Sequence, residues 1–564
     1  MYAELAEVRA QLCEPGQPFE IEEVTVNGVQ VKAWRNAAAS LREVWLQAGG
    51  HGDADYLVYE DERLTYSQAQ DRVARIARWM TDNGIAQHDR VAIALRNYPE
   101  WMLCYWASVS IGAVVVGINA WWVPEELAYA LQDSAPRLLF ADGERLQRFA
   151  GIKDSMPDML AVGVRCDDSL GDVARPFSEV LKAEPELPEV TIHPDDDACI
   201  FYTSGTTGHP KGAQLTHRGC TNNILSAVYS NLTQQLALAK AGKTADNAAP
   251  GGKMNVLLTT PLFHVTANNV IAHTHTLLGN KLVHMYKWDA GEALRLIERE
   301  KINMLSGVPV MARELLAHPD YASTDTSSLA ALGGGGAAVQ PDLVEKIESR
   351  SAATAVSAFG MTEVCGLATG IIGAYFNDRP ASVGPVLPIF DVRCVDADGR
   401  VVGVGETGEV QLKGAQVIKG YINRPDATAD TIVHGWLHTG DIGYLDEDGF
   451  LYIVDRIKDM VLRGGENIYC AEVESVLFKH EDIAEVAVFS VPDDTLGEEV
   501  GAAIYPRDGA RLDASALRAY CREHLAAYKI PRYLWVLDNP LPRNASGKFL
   551  KRSLQDTLNP EAAA

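Results

Sequence analysis

Through most of the chain, short apolar segments alternate with amphipathic ones, and this order restricts the fold more than any other feature. "RVAIAL" at 90–95 is followed by "PEWMLCYWASVSIG", then "AVVVGI", then "VPEELAYALQDSAP", then "RLLFAD" at 137–142. Strand, helix and strand in succession close as a parallel sheet with helices on its faces. Just upstream, Ser67 reads as the N-cap of a helix whose apolar positions Ala69, Val73, Ile76, Ala77 and Met80 keep helical spacing until Asn83-Gly84 stops it. The alternation resumes through "KMNVLLTTPLF", "NKLVHM" and "INMLSGVPV". From about residue 380 the texture changes to short strands with Gly turns, as in "GEVQLKG" and "DEDGFLYIVDR". After 456 come a helix at "CAEVESVLFKH", strands at "AEVAVFSV" and "VGAAIYP", and a helix from Asp513 to Leu525. The expected fold class is α/β. A large N-terminal domain, 1–455, stacks parallel sheets with helices and carries a β-rich subdomain at about 380–455. A small mobile α+β domain follows at 456–564.

Composition limits the function classes. At 564 residues the chain exceeds a single core. A net charge of -25 opposes nucleic-acid binding and adhesion to anionic membranes, while leaving room for a local basic pocket. Nine widely spaced cysteines, with no CxxC and no metal-ligand spacing, imply reduced thiols and a cytoplasmic location. The acidic N-terminus does not read as a signal peptide. Residues 101–124, "WMLCYWASVSIGAVVVGINAWWVP", carry no charge, which is the length of a membrane span. Gly112, Gly117 and Asn119 divide that run into a buried helix and a buried strand, so no transmembrane segment is expected. Peripheral membrane contact and a homodimer remain open. The stretch around 239–253, small and polar, reads as a surface insertion.

The chemistry begins at "YTSGTTGHPKG", residues 202–212. Hydroxyls at Thr203, Ser204, Thr206 and Thr207, glycines at 205 and 208, and the ammonium of Lys211 are all donors or permit close backbone approach. An anion with many oxygens, such as a triphosphate, suits them. In the usual helix-capping phosphate loop a glycine precedes the lysine and Ser/Thr follows it. Here Pro210 precedes Lys211 and Gly212 follows, so that reading is poor. A flexible Ser/Gly linker rarely carries a Pro-Lys-Gly stop.

Four further strings follow in order: "FGMTE" (359–363), "HTGD" (438–441), "VDRIKDMVLRGGENIY" (454–469) and "LPRNASGK" (541–548). With the first loop they resemble the adenylate-forming superfamily of acyl-CoA synthetases, luciferases and peptide-synthetase adenylation domains, from about 40 to 552. The resemblance implies ATP, Mg²⁺ and coenzyme A. It implies that Thr203, Ser204, Gly205, Thr206, Thr207, Gly208 and Lys211 hold the β- and γ-phosphates, and that Thr362 binds phosphate. Glu363 and Thr206 would lie near the metal. Phe359 would stack on adenine, Asp441 take both ribose hydroxyls, and Arg456 contact ribose and phosphate. Lys548 would contact the α-phosphate and the acyl carboxylate. Lys458 would be the hinge about which the C-terminal domain pivots, bringing Gly464 and Gly465 to the cleft for the pantetheine arm of coenzyme A. Arg463 stands where many relatives carry a small residue.

An amino-acid-activating enzyme needs an acid near "PLFHVTANN" to pair with the substrate ammonium. Here His264 stands in that place, and the sixteen residues after Lys548 hold no carrier domain. His264 instead resembles the aromatic gate beside the carboxylate in acyl- and aryl-CoA ligases. The acyl pocket is expected to include Gly335, Gly336, Ala337 and Ala358, and the nearly side-chain-free "GGGGAAV" leaves volume for an apolar acid. The favoured substrate is a medium- or long-chain fatty acid. An aromatic or cyclic carboxylate is the alternative, ahead of a stand-alone adenylation or luciferase-type reaction.

Overall fold

A computed structural model describes residues 1–166, 173–203, 209–243, 252–337, 339–464, 466–507, 509–544 and 547–564. The first alternating stretch forms one sheet. Its parallel strands are Arg90–Ala94, Val114–Gly117, Leu138–Asp142 and Leu160–Val164, with Asp197–Thr203 parallel to Val114–Gly117. Beyond Asp197–Thr203 the direction reverses, and Lys211–Thr216 and then Gly420–Tyr421 close that side antiparallel. A second sheet places Thr354–Ala358, Ala331–Gly335, Met304–Gly307, Asn255–Leu258, Lys281–His284 and Asp55–Tyr59 side by side, all parallel.

The uncharged run at 101–124 is explained by this stacking. Helix Pro99–Ser110 contacts strands of both sheets, and eleven of its residues are buried, so apolar side chains are needed on every face. The strand Val114–Gly117 that follows is buried throughout. Among the described residues no helix is long and apolar enough to cross a membrane.

The helix read as starting after Ser67 begins earlier, spanning Tyr66–Asp82 with Thr65 as its N-cap. Thr65 Oγ1 accepts from the Gln68 N–H at 3.2 Å, and Gln68 Oε1 accepts from the Thr65 N–H at 3.0 Å. This reciprocal pair satisfies two terminal donors. Gln70, three residues after Ser67, is engaged elsewhere, donating its Nε2 to the Trp45 carbonyl at 2.8 Å.

The β-rich part is an antiparallel sheet of Gly384–Pro385, Phe450–Arg456, Trp436–Leu445, Gly408–Lys413 and Asp391–Val395. The C-terminal domain has its own sheet, in which Gly497–Pro506 pairs with Ile483–Asp493, Val461–Arg463 and Tyr533–Val536, and its own core of Val473, Leu477, Val488, Ile504, Leu517 and Leu534. Arg463, whose role the sequence leaves open, belongs to this domain's framework. Its guanidinium donates to both oxygens of the buried Glu499, at 2.8 and 2.9 Å.

Candidate active site

The donor-rich loop joins two antiparallel neighbours, with Thr203 opposite Lys211, at the carboxyl end of the strand Asp197–Thr203. Its flanking strands thus meet at the ligand-binding end of a parallel sheet, and a strand, not a helix, follows it. Ser204, Gly205, Thr206, Thr207 and Gly208 lie outside the described residues. The loop's base is tied down. Thr203 Oγ1 donates to the Lys211 carbonyl at 3.4 Å, and Tyr129 OH donates to the Pro210 carbonyl at 3.1 Å.

Lys211 Nζ lies 4.8 Å from the centre of the Tyr421 ring, and Tyr421 OH donates to Glu363 Oε1 at 2.8 Å. Burial and the Glu363 charge both push the Tyr421 phenol up, so it stays a donor. One tyrosine thus joins the loop's lysine to the carboxylate of "FGMTE". Thr362 and Glu363 form a single 3₁₀ turn, ended by Cys365 at φ 57°.

Asp441 and Arg456 face each other across adjacent strands of the β-rich sheet. Arg456 Nε donates to Asp441 Oδ1 at 3.0 Å. Asp441 Oδ2 is buried and has no hydrogen-bond partner among the described residues. Desolvation pushes this carboxyl up, against the pull of Arg456 and Lys548. A buried carboxylate oxygen without a donor is expensive, and a ligand hydroxyl would satisfy it.

Lys548 comes from the other domain. Asn544 Oδ1 accepts from its backbone N–H at 2.9 Å, and Gly547 turns the chain at φ +82°. A Cβ on Gly547 would come within 2.9 Å of Val308 Cγ2, so glycine is what lets this loop press against the N-terminal domain. Gly336, opposite, lies so that its Cβ would be 3.6 Å from Lys548 Cε. Burial first, then the charges of Arg456 and Lys458, push the lysine down to about 8. Arg456, Lys458 and Lys548 are three cations in one cleft, with Asp441 and Glu363 as the acids within electrostatic reach. Such a cleft favours a polyanion.

A cavity of about 1870 Å³ connects these groups to the interior. Thr362, Glu363, Arg456, Lys458 and Lys548 line one end, and His264 stands beside them. Burial, then the Lys548 charge, push His264 down to about 4, so it is neutral at pH 7, and its Nε2 is buried without a partner. Ser306, Gly334, Gly335, Gly336 and Ala358 line the same cavity.

Some sequence expectations find a different setting. A Cβ on Gly333, Gly334 or Gly335 would sit 2.1, 1.9 or 2.5 Å from a backbone oxygen of a neighbouring strand. Those glycines are therefore required by strand packing, and their contribution to acyl volume is secondary. Ala337 is exposed and does not line the cavity. Phe359 is half-buried against the core of the β-rich part, while its neighbours Gly360 and Met361 line the cavity. Gly464 sits in a turn of the C-terminal domain away from the cavity, with its N–H on the Leu496 carbonyl at 2.8 Å. Gly465 lies outside the described residues. Tyr421 and Val308 were missed by sequence reasoning, because neither lies in a motif whose chemistry marks it.

Residues 44–422 match the AMP-binding enzyme model, and residues 472–548 match the model of that enzyme's C-terminal domain. The chain is an AMP-binding enzyme. It belongs to the adenylate-forming acyl-CoA synthetase superfamily. This AMP-binding enzyme is 35% identical over 489 residues to a feruloyl-CoA synthase from Amycolatopsis sp, covering 86% of the chain and 92% of the relative. It is 32% identical to a long-chain-fatty-acid–CoA ligase of Bacillus subtilis (strain 168), over 89% and 91% of the two chains. Among solved structures, o-succinylbenzoate CoA synthetase from Bacillus subtilis, in complex with its acyl-adenylate intermediate, matches with a TM-score of 0.76 at 30% identity. That match covers 91% of this chain and 98% of the other.

Proposed function

We propose that this AMP-binding enzyme joins a ring-bearing apolar carboxylic acid to coenzyme A through an acyl-adenylate, releasing AMP and pyrophosphate. One observation carries the reading. Lys548 stands, half-buried, where the Asp441–Arg456 pair, the Glu363 turn and the mouth of the His264-lined cavity meet. A carboxylate emerging from that cavity meets an α-phosphate there, and the ammonium neutralises charge as the carboxylate oxygen bonds to phosphorus and pyrophosphate leaves.

The other residues take supporting roles. Asp441 Oδ2 accepts from the ribose hydroxyls, while Arg456 holds its partner oxygen. Thr203 and Lys211, with residues 204–208, hold the β- and γ-phosphates, and Thr362 supports the α-phosphate. Phe359 stacks on adenine from the rim of the cleft. Glu363 fits a Mg²⁺ partner. Its Oε1 is held by Tyr421, and one carboxylate plus phosphate oxygens and waters is the donor set this cation takes. That ion would supply charge neutralisation of the leaving pyrophosphate. For the second half-reaction the domain beginning near 456 pivots at Lys458, withdrawing Lys548 and bringing Gly464 and Gly465 to the cleft for the thiol.

The acid's class follows from the cavity and the relatives together. The flat backbone of Gly334–Gly336 and Gly360 suits a planar ring, which makes more close contacts with such a wall than a thin alkyl chain does. The feruloyl-CoA and o-succinylbenzoate relatives support the same class, ahead of the fatty acid favoured from the sequence. A linear long-chain acid is the second reading. It is supported by the apolar side chains Leu236 and Leu278, which line the cavity and are themselves exposed.

A panel of phenylpropenoic, bicyclic, linear and amino acids, assayed for AMP release with and without coenzyme A, tests this. Ring-bearing acids should give the highest kcat/KM, and thioester should form only when coenzyme A is added. A linear acid turned over best would replace the first reading by the second. An amino acid turned over best would overturn both.

A further inference from the structure

One wall of the cavity is a helix laid along it lengthwise. Residues Thr266–His273 are π-helical and Thr274–Leu277 continue as α-helix. Thr266, Val270, Thr274 and Leu278, four residues apart, all line the cavity. The stripe begins two residues after His264 and ends at Leu278.

Thr274 is 5% exposed, and its Oγ1 is buried with no hydrogen-bond partner among the described residues. Its neighbour two residues on behaves differently: Thr276 Oγ1 donates to the Ala272 carbonyl one turn back, at 2.7 Å. That carbonyl contact is the usual refuge of a helical threonine hydroxyl. Thr274 follows directly on the π-helical turns, whose wider winding shifts the preceding carbonyls out of that register. An unmet hydroxyl in a dry wall costs stability unless something that enters the cavity meets it.

His275 adds a second polar group to the same wall. Asn280 Oδ1 accepts from the Met254 N–H at 2.9 Å, which fixes Asn280 Nδ2 as a donor, 2.7 Å from His275 Nδ1. Burial pushes this imidazole down to about 4, so it is neutral at pH 7. With Nδ1 accepting, the proton sits on Nε2, which makes that nitrogen a donor. His275 also lines the cavity.

We infer that the acid carries an oxygen on its ring, remote from the carboxylate, and that Thr274 recognises it, with His275 as a second donor on the same wall. This rests on the ring-bearing reading above. Eight residues of helix separate Thr266 at the gate from Thr274; the rise stays below the α-helical value of about 1.5 Å per residue through the π-helical turns, so the separation is roughly 10 Å. An acid that reaches Thr274 therefore has roughly the span of a phenylpropenoic acid or a fused bicyclic propanoic acid. A hydroxyl can donate to Thr274 Oγ1, and a ketone can accept from it. Thr274 is a specificity residue in this account and takes no part in bond making.

The test uses two matched pairs on the full-length enzyme: 4-hydroxycinnamic against cinnamic acid, and 3-(4-oxocyclohexyl)propanoic against 3-cyclohexylpropanoic acid. In the unmodified enzyme kcat/KM should favour the oxygenated member of at least one pair by roughly tenfold, the worth of a hydrogen bond made in a dry site. Thr274→Val, nearly isosteric, should collapse that ratio to about twofold or less while leaving the deoxygenated acid unchanged or improved. Thr274→Ser should keep the ratio, and it serves if the valine variant does not fold. Ring acids turned over with no preference for oxygen, or a preference that survives Thr274→Val, would overturn the inference and leave the ring-bearing reading standing. Turnover of linear acids alone would overturn both.

Discussion

Replacing Lys548 with alanine should lower acyl-adenylate formation by roughly 100- to 1000-fold or more, while thioester formation from supplied acyl-adenylate is largely spared. The magnitude follows from removing one preorganised cation from the site where charge develops. The selectivity follows from position. Lys548 reaches the cleft from the C-terminal domain through the Asn544–Gly547 turn, and its ammonium is needed only while the α-phosphate reacts. The same lysine sets a pH limit. Its pKa is pushed down to about 8, so the ammonium is present below that pH and is lost as pH rises through it. The kcat/KM for adenylation should therefore fall above about pH 8 in the wild-type enzyme. His264, neutral above about 4, should add no acid limb near neutrality. Stopped assays of each half-reaction across pH check all three points. Equal loss of both half-reactions in a folded Lys548→Ala protein would remove the lysine's state-specific role.

Asp441→Ala should lower kcat/KM for ATP by about 100-fold or more, mainly through KM. The substitution removes the partnerless Oδ2 that the ribose hydroxyls would satisfy, and charged hydrogen bonds are worth about 1.5–3 kcal/mol each. It also removes the acceptor of Arg456 Nε, 3.0 Å away, leaving an uncompensated cation beside Lys458 and Lys548. A structural defect alone would weaken all nucleotides alike. The diagnostic comparison is therefore ATP against its 2′,3′-dideoxy analogue. Wild type should discriminate strongly, and the variant should not. Discrimination that persists in Asp441→Ala would place the ribose elsewhere.

Much of this site was legible because its chemistry is local in sequence. The hydroxyl- and glycine-rich loop, the lone acid of "FGMTE" and the lysine after "NASG" announce their roles through residue type. The alternation of apolar segments likewise announced parallel sheets, because period and order are enough to decide that architecture. What stayed hidden depends on distant pairings. Tyr421 bridges Lys211 and Glu363 only because the strand Gly420–Tyr421 docks on the edge of Lys211–Thr216. The glycines of "GGGG" looked like an emptied pocket wall, yet the first three are dictated by neighbouring strand oxygens that a linear reading cannot place. Arg463 looked like a departure near the cleft and proves to be the partner of Glu499, thirty-six residues away. The cap falls at Thr65 and not at Ser67 because Gln68 closes the reciprocal pair with Thr65, while Gln70 is drawn to the Trp45 carbonyl of a distant helix.

The central claim is that a carboxylate attacks the α-phosphate beside Lys548. The most direct measurement is exchange of labelled pyrophosphate into ATP without coenzyme A, with and without a ring-bearing acid that the enzyme turns over. The account predicts exchange that depends on the acid, release of AMP once coenzyme A is added, and loss of exchange in Lys548→Ala. Release of ADP and phosphate, with no acid-dependent exchange, would contradict it.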